Sequence, residues 1–372
     1  MKAEVTVECP VYDSFRVQQV AGLFDVSLSQ KLKQSFSVEV PDLDGSWKIG
    51  AIVGPSGSGK STIARRVFGD KLYGGESWPG DKAIVDCFGE RSIREITKTL
   101  TAVGFSSPPS WAKPYAVLSN GEKFRCDLAR ALLSGKEGIA FDEFSSVVDR
   151  TVAKVGSAAV AKAMRGGLLP IRWFCAVTCH YDIVEWLEPD WVLDMATGTL
   201  ARGSLQCRRP EIRLEIVRCE RAAWKLFAKH HYMSANLHPA AQCFMALWNG
   251  EPVGFVAMMA NFGHKGFWRI SRIVALPDYQ GLGIGTRMAE AVGEIYLAQG
   301  KRVTVLASHP AVIRHCEKSP QWRLTGVYKS GKSAHTMKNK DRNRSASTGR
   351  SVASFEFLGA CRQAAVSHRL IA

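Results

Sequence analysis

The stretch 54–62 reads GPSGSGKST, and a second stretch, 280–286, reads QGLGIGT. Each follows an apolar run that predicts a strand, and each opens a sequence that predicts a helix. Glycines at such a turn let consecutive backbone N–H groups face an anion at the helix N-terminus. Because the two stretches lie more than two hundred residues apart, we expect two phosphate-holding sites in two domains.

Length and composition agree with two globular domains. The chain has 372 residues, of which 46% are hydrophobic and 22% charged. It contains no run of about 18 apolar residues that would predict a membrane-spanning helix, and its opening residues have no apolar signal core. We therefore expect a cytoplasmic protein without a membrane partner.

The net charge of +15 belongs to the second half. Residues 1–205 hold 24 lysines and arginines and 24 acidic residues, whereas residues 206–372 hold 25 and 10. This asymmetry indicates an acidic partner for the second half, either nucleic acid or a polyanionic cofactor. A basic but inert surface is the alternative.

The first glycine-rich stretch has the P-loop pattern G-x-x-x-x-G-K-[ST], between a predicted strand at 47–53 and a predicted helix at 62–68. The lysine of this pattern reaches the β- and γ-phosphates of ATP, and the next hydroxyl binds Mg²⁺. The predicted ATP-binding residues of the turn are Gly54, Pro55, Ser56, Gly57, Ser58, Gly59, Lys60, Ser61 and Thr62.

Three later segments add the groups that ATP hydrolysis needs. Residues 118–122 read LSNGE and open a predicted helix. The apolar strand predicted at 138–143 ends in Asp142, expected to bind Mg²⁺ with Ser61, and Glu143, expected to polarise the attacking water. A further apolar run, 173–179, ends at His180.

These elements, in this order over roughly residues 20–205, resemble the ABC ATPase family. The resemblance implies that LSNGE is the family's signature sequence, that Asp149 is the D-loop aspartate, and that His180 senses the γ-phosphate. The catalytic residues of the first half would then be Glu143 and His180.

The resemblance also implies an ATP-dependent, head-to-tail homodimer. Lys60 of one subunit and Ser119 of the other would enclose each ATP, with Gly121 beside Ser119 in the signature. An aromatic side chain that stacks on adenine should precede the P-loop, and Phe24 and Phe36 are both open as candidates.

Two features depart from the family pattern. No glutamine lies between the P-loop and the signature sequence, so the family's Q-loop residue has no match. Only 59 positions separate Lys60 from Ser119, and they include the proline-rich stretch 106–115. That segment is short for a transporter subunit, so we expect an ABC ATPase that does not serve transport.

A small, polar linker near 205–211 predicts the domain boundary. We expect an ATPase domain over 1–205, a second domain over 206–328 and its extension over 329–372. The expected elements after the boundary are strands at 212–217, 268–276, 303–307 and 354–358, helices at 221–232 and 313–318, and a hairpin over 243–259 around the turn Asn249-Gly250. The helix after the second glycine-rich stretch should bury Met288, Ala291, Val292 and Ile295.

The run 274–285, VALPDYQGLGIG, resembles the acetyl-CoA site of the GNAT acetyltransferases. The resemblance covers roughly 211–330 and implies a mixed-sheet α+β domain that binds acetyl-CoA or another acyl-CoA. A dinucleotide site is not expected, because the glycine spacing differs and Lys301-Arg302 stands where an acidic residue would be needed. The implied CoA-binding residues are Val274, Leu276, Gln280, Gly281, Leu282, Gly283, Ile284, Gly285 and Thr286.

The acid and the base of acyl transfer are less well defined. Members of the family often use a tyrosine in the helix after the fifth strand, and Cys316 aligns with it here. His309 is the best substitute, since a histidine titrates near neutral pH. A helix cap or a solvated loop residue is the alternative reading of His309.

Residues 329–350 carry seven lysines and arginines against one acid, and we expect a loop that binds a phosphate backbone. One hypothesis is therefore an enzyme that acylates nucleic acid, and the chain has a general resemblance to acetyltransferase-like components of phage DNA hypermodification systems. The alternatives are an ATP-regulated acetyltransferase for protein or small-molecule amines, and a GNAT fold that only binds.

Overall fold

The computed structural model describes residues 1–8, 12–25, 33–203, 210–231, 236–261, 265–329 and 351–360. The chain divides into two compact units, the first made of 1–103 and 113–210 and the second of 104–112 and 211–372. The boundary predicted near 205 falls outside the described residues, as does the basic loop at 330–350. The place of 104–112 in the second unit was not expected from the sequence.

The first unit is built on a mostly parallel sheet. Its described strands are β3 (Ile49–Val53), β4 (Leu72–Tyr73), β5 (Gly138–Phe141), β6 (Trp173–Thr178), β7 (Trp191–Asp194) and β8 (Thr199–Arg202), in the order β4-β5-β6-β3-β7-β8. Only β8 is antiparallel to its neighbour. A separate antiparallel pair joins β1 (Lys2–Glu8) to β2 (Lys33–Glu39).

Apolar sequence explains why β3, β5 and β6 form the centre of this sheet. All their residues are buried, as is typical of parallel strands covered on both faces. The rings of Trp47, Trp173 and Trp191 pack together at centroid distances of 5.1 and 5.3 Å. The carboxyl ends of the three parallel strands therefore meet at one fixed edge.

Four helices of the first unit begin at a side chain that caps them. Its described helices are α1 (Phe15–Leu23), α2 (Lys60–Phe68), α3 (Ile93–Ala102), α5 (Asn120–Leu132), α6 (Arg150–Arg165) and α7 (Val184–Leu187), while α4 (Pro108–Trp111) lies in the second unit. Ser119 and Glu122 form a reciprocal capping box at α5, and the Asp149 side chain accepts from the Val152 N–H at α6. The signature and D-loop residues are thus fixed at helix starts.

The second unit is built on a mixed sheet, as predicted. Its described strands are β9 (Glu215–Cys219), β10 (Gln242–Trp248), β11 (Glu251–Ala260), β12 (Phe267–Ala275), β13 (Arg302–Ala307), β14 (Trp322–Lys329) and β15 (Ser351–Phe357), in the order β14-β15-β13-β12-β11-β10-β9. Neighbours are antiparallel except β12 and β13, which are parallel. The predicted hairpin is confirmed, with Asn249 at φ +53° and Gly250 at φ +82°.

Two expectations for the helices of the second unit were wrong. The helix predicted at 221–232 is only α8 (Trp224–Phe227), flanked by 3₁₀ turns. Trp224 and Phe227 both pack on Phe255, at 5.2 and 5.3 Å, so this single α-helical turn is the part of the segment that packs on the sheet. Residue 232 lies outside the described residues.

The second error concerns α9 (Ile284–Ala298), the helix after the glycine-rich turn. Met288 and Val292 are buried as predicted, but Ala291 and Ile295 are exposed. Tyr296 takes the inward position, where its hydroxyl donates to Gln242 Oε1 at 2.5 Å. The last helix is α10 (Pro310–Lys318).

In the part of the chain that the structure describes, no helix is both long enough and apolar enough to cross a bilayer.

Candidate functional sites

The first glycine-rich turn joins β3 to α2. Gly57 and Gly59 have φ of +79° and +85°, a left-handed backbone that glycine adopts without a steric penalty. A Cβ at Gly59 would lie 2.4 Å from the Phe36 ring, so this position also needs glycine for space. The turn leaves the N–H groups at the start of α2 without intrahelical acceptors, which suits an anion.

A hydroxyl and a carboxylate meet beside this turn. Ser61 Oγ donates to Asp142 Oδ1 at 2.9 Å, and the Glu143 N–H donates to the same oxygen at 3.0 Å. Lys60 Nζ lies next to them and donates to the Pro55 carbonyl at 2.7 Å. Hydroxyl and carboxylate oxygens are the ligands that Mg²⁺ prefers, so the residues present fit the ion.

The backbone after β5 is turned sharply at two residues. Glu143 and Ser145 have φ of +51° and +70°, a conformation that costs about 1–3 kcal/mol for a residue other than glycine. The buried Ser145 hydroxyl lies 3.2 Å from His180 Nδ1. Burial, and then the charge of Arg150, lower the pKa of His180, which is therefore neutral near pH 7.

These groups line one cavity. Of the predicted residues it includes Ser56, Gly57, Gly59, Lys60, Ser61, Thr62, Asp142 and Glu143. Phe36 also lines it, whereas Phe24 is 71% exposed and does not. Thr178 and Cys179, at the end of β6, line the cavity too and were missed, because an apolar strand end carries no motif of its own.

Six predicted ATP contacts do not line this cavity, nor does His180. Three of the six, Gly54, Pro55 and Ser58, belong to the turn itself. Ser119 is an exposed helix cap, Gly121 packs against Val152, and the Asp149 carboxylate caps α6. In a single chain the structure therefore does not bring the signature sequence to the P-loop.

In the second unit, two parallel strands part beside the second glycine-rich turn. The paired register between β12 and β13 ends at Ile270 and Val305, although β12 continues to Ala275 and β13 to Ala307. Both strand ends line a cavity. The β13-facing edge of β12 is thus left without a strand partner among the described residues.

The second turn also lines this cavity. Gly281 and Gly283 have φ of +96° and +90°, and Gly283 caps α9. A Cβ at Gly285 would lie 3.0 Å from Ile273 Cγ2, so glycine lets the helix approach β12 closely. The cavity includes Val274, Gln280, Gly281, Gly283, Ile284, Gly285 and Thr286 from the predicted set.

Leu276 and Leu282 are not among the lining residues. They pack against apolar clusters in the interior of the second unit. Both leucines were predicted to bind CoA because they belong to the motif. Within the motif, however, some side chains face the interior of the unit and not the cavity.

The Gln280 amide is held at both ends. Its Nε2 donates to the Ala275 carbonyl at 3.1 Å, and its Oε1 accepts from the Ser106 N–H at 2.8 Å. Ser106 belongs to the segment 104–112, which is part of the second unit and lines the same cavity.

His309 lines the cavity and caps α10. Its Nδ1 accepts from the Ala311 N–H at 3.2 Å, and its Nε2 lies 3.2 Å from the Ser106 carbonyl, to which it must donate. Burial lowers the pKa of His309, so the neutral ring is favoured near pH 7. The alternative reading of a helix cap is therefore observed, and a role as base stays a prediction.

Cys316, which aligns with the family's tyrosine, is buried in the core and does not line the cavity. Burial raises the pKa of its thiol to about 12. His230 and His231 do line the cavity and were missed. Two adjacent histidines just before the predicted hairpin are the signal that could have drawn attention to them.

A comparison with protein families gives one match, to the Acetyltransferase (GNAT) family over residues 206–318. The chain carries a GNAT domain. A comparison with curated proteins found no match.

Solved structures similar to the chain include ABC cassettes, over its N-terminal part, and GNAT acetyltransferases. A bacterial Atm1-family ABC exporter with ATP bound is 22% identical over 46% of this chain, with a TM-score of 0.35. The match spans 35% of the exporter, about a third of its length. The dimeric ATP-binding cassette MJ0796 bound to ADP and Pi is 14% identical over 45% of this chain and 89% of its own, with a TM-score of 0.36. A Bacillus subtilis acetyltransferase in complex with CoA is 12% identical over 40% of this chain and 98% of its own, with a TM-score of 0.29.

Proposed function

We propose that the chain is an acyl-CoA-dependent N-acyltransferase coupled to an ATP-hydrolysing unit of the ABC type, and that its acceptor is nucleic acid. The observation that carries the acyltransferase is the parting of β12 from β13 beside the second glycine-rich turn. The basic charge of the second half motivates the acceptor.

Acetyl-CoA, or another acyl-CoA, would supply a thioester to this cavity. The N–H groups around Gly281 and Gly283 bind its pyrophosphate at the start of α9. The unpaired edge of β12 offers backbone groups to the rest of the cofactor, with Ser271 nearest the point where the strands part. The reacting end is thereby held between the strand ends, away from the phosphates.

An acceptor amine must lose a proton as it attacks, and the thiolate that leaves must gain one. His309, His230 and His231 line the cavity, and histidine is the side chain best suited to proton transfer near neutral pH. His309, His230 and His231 are therefore the three candidates for the base.

In the first unit, Ser61 and Asp142 would hold Mg²⁺, Lys60 would neutralise the phosphates, and Glu143 would orient the attacking water. A second copy of the chain would supply Ser119, since this residue does not line the cavity of its own chain. The expected homodimer follows from that requirement.

In the test, the full chain is incubated with isotopically labelled acetyl-CoA and with DNA, RNA or a mixture of proteins. Mass spectrometry then shows which acceptor carries the label. Nucleosides that carry the acyl group support the proposal, and label in protein alone refutes the nucleic-acid acceptor. Gly283→Glu is the control that must lose transfer.

A second candidate is an acyl-CoA-binding module without transfer. The buried Cys316 and the doubly bonded His309 favour it, because neither is placed to exchange a proton with substrate. Binding of CoA without label on any acceptor would establish this reading.

A further inference from the structure

The segment 104–112 has an unusual place in the chain. It follows α3 and precedes the signature sequence, yet it is part of the second unit. Both of its ends return to the first unit. Val103 is buried and its N–H donates to the Thr99 carbonyl, while the Lys113 carbonyl accepts from the Ile84 N–H at 3.0 Å.

Within the second unit, the segment uses one peptide unit on each side of Ser106 to hold two cavity residues. The Ser106 N–H donates to Gln280, and the Ser106 carbonyl accepts from His309. Gln280 begins the glycine-rich turn and His309 caps α10, so the two contacts connect Ser106 to two separate elements that line the cavity.

The segment is also rigid. Pro108 and Pro109 open α4 and fix their φ angles, and the buried Trp111 donates its Nε1–H to the Phe105 carbonyl at 3.0 Å. Only six positions separate Lys113 from Ser119, and they include Pro114. A short segment with fixed proline φ angles and a buried tryptophan has few ways to change its own shape when one end is displaced.

We propose that the segment 104–112 couples the two sites, so that ATP bound in the first unit changes the affinity of the second unit for CoA. The inference rests on the proposed CoA site and names its regulation. A nucleotide-dependent change at Ser119 reaches Ser106 through the chain itself, and Ser106 then repositions Gln280 and His309. Coupling between sites in proteins is typically of the order of 5- to 150-fold in affinity.

The experiment measures the Kd for CoA by calorimetry on the full chain, with and without saturating Mg²⁺ and ATP. All proteins carry Glu143→Gln, so that ATP persists during the titration. We expect the two Kd values to differ at least fivefold. By linkage, saturating CoA must change the affinity for ATP by the same factor.

Three substitutions in this background test the route. Ser106→Pro removes the N–H that donates to Gln280, whereas Ser106→Ala leaves the peptide group intact and is the matched control. His309→Asn keeps a residue that can cap α10 but is too short to reach the Ser106 carbonyl. Ser106→Pro and His309→Asn should bring the ratio of Kd values to within about twofold of one, and Ser106→Ala should preserve it.

The outcomes separate the two proposals. Equal Kd values with and without ATP, in a protein that binds CoA, would overturn the coupling alone. A ratio that persists in His309→Asn and Ser106→Pro would also overturn it, and His309→Asn decides if the proline variant fails to fold. No binding of CoA under any condition would overturn the proposed acyl-CoA site itself.

Discussion

The two glycine-rich turns of this protein have nearly the same backbone and different side chains around it. Each joins a strand to a helix, and each caps its helix with a glycine in the left-handed region, Gly59 at φ +85° and Gly283 at φ +90°. Beside the first turn lie an ammonium, a hydroxyl and two carboxylates. Beside the second lie Gln280 and His309, both hydrogen-bonded to the backbone of Ser106.

The comparison shows that the turn alone determines only that an anion is bound. A phosphate that is to be cleaved needs a metal ion and a base. Among the described residues that line the two cavities, carboxylates occur at the first turn and not at the second. A phosphate that serves as a handle needs backbone N–H groups and no more. The second turn therefore fits a cofactor whose reactive end lies elsewhere, between the parted strands.

The largest expected effect tests the side chains of the first turn. Glu143→Gln removes the proposed base and should lower ATP turnover by about 10²- to 10⁴-fold while ATP still binds. Phosphate release and ATP affinity, measured separately, check both parts. CoA affinity without ATP should not change, because the second site does not use this carboxylate.

Glu90→Gln, at an exposed position, is the matched control for the loss of one carboxylate and should behave as the unsubstituted protein. Turnover by Glu143→Gln near the original rate would remove the main chemical difference between the two turns.

A smaller effect is expected from the second turn. Gly283→Glu places a side chain and a negative charge at φ +90°, where a non-glycine residue is strained and the charge faces the pyrophosphate. The affinity for CoA should fall by about 10- to 100-fold, because the new side chain occupies the turn and its carboxylate repels the pyrophosphate. Calorimetry with CoA measures the loss, and ATP turnover should be unaffected.

Gly300→Glu is a close control. Gly300 follows the other end of α9, has φ +68°, and a Cβ there would meet nothing within 4 Å. The substitution Gly300→Glu therefore introduces the same charge and a similar backbone strain at a position away from the cavity. Equal losses in the two variants would mean that the second turn does not bind the cofactor.

Much of the backbone structure around the two turns could be predicted from the sequence, because it depends on residues that are close together along the chain. The P-loop, the strands beside it and the hairpin at Asn249-Gly250 depend on neighbouring residues, and the structure confirms them. The inward face of α9 was predicted less well. Which side of a helix is buried depends on the sheet that covers it, and here Tyr296 replaces Ile295.

The environment of Gln280 and His309 could not be predicted in the same way. Ser106 lies 174 positions from Gln280 and 203 from His309, and it contacts both through its backbone. Every residue except proline has the same backbone groups, so no sequence pattern marks such a contact. Cys316, which aligns with the family's tyrosine, is buried in the core, and the identity of the acid stays a prediction.

The smallest expected effect concerns the histidine beside the second turn. Burial lowers the pKa of His309, so the unfolded chain binds a proton more tightly than the folded one between that lowered value and about pH 6.5. The stability that depends on neutral His309 is present above about pH 6.5 and is lost as the pH falls through its lowered pKa. Protonation also ends the contact in which Nδ1 accepts from the Ala311 N–H, so the start of α10 should open.

Hydrogen exchange of the peptide that covers α10, corrected for the intrinsic rate, should show less protection at pH 5.5 than at pH 7.5. His309→Asn should remove this difference, and α3, capped by Ser92, should show none. Equal protection of α10 at both pH values would mean that the cap does not titrate, and that the second turn has no proton-dependent neighbour at His309.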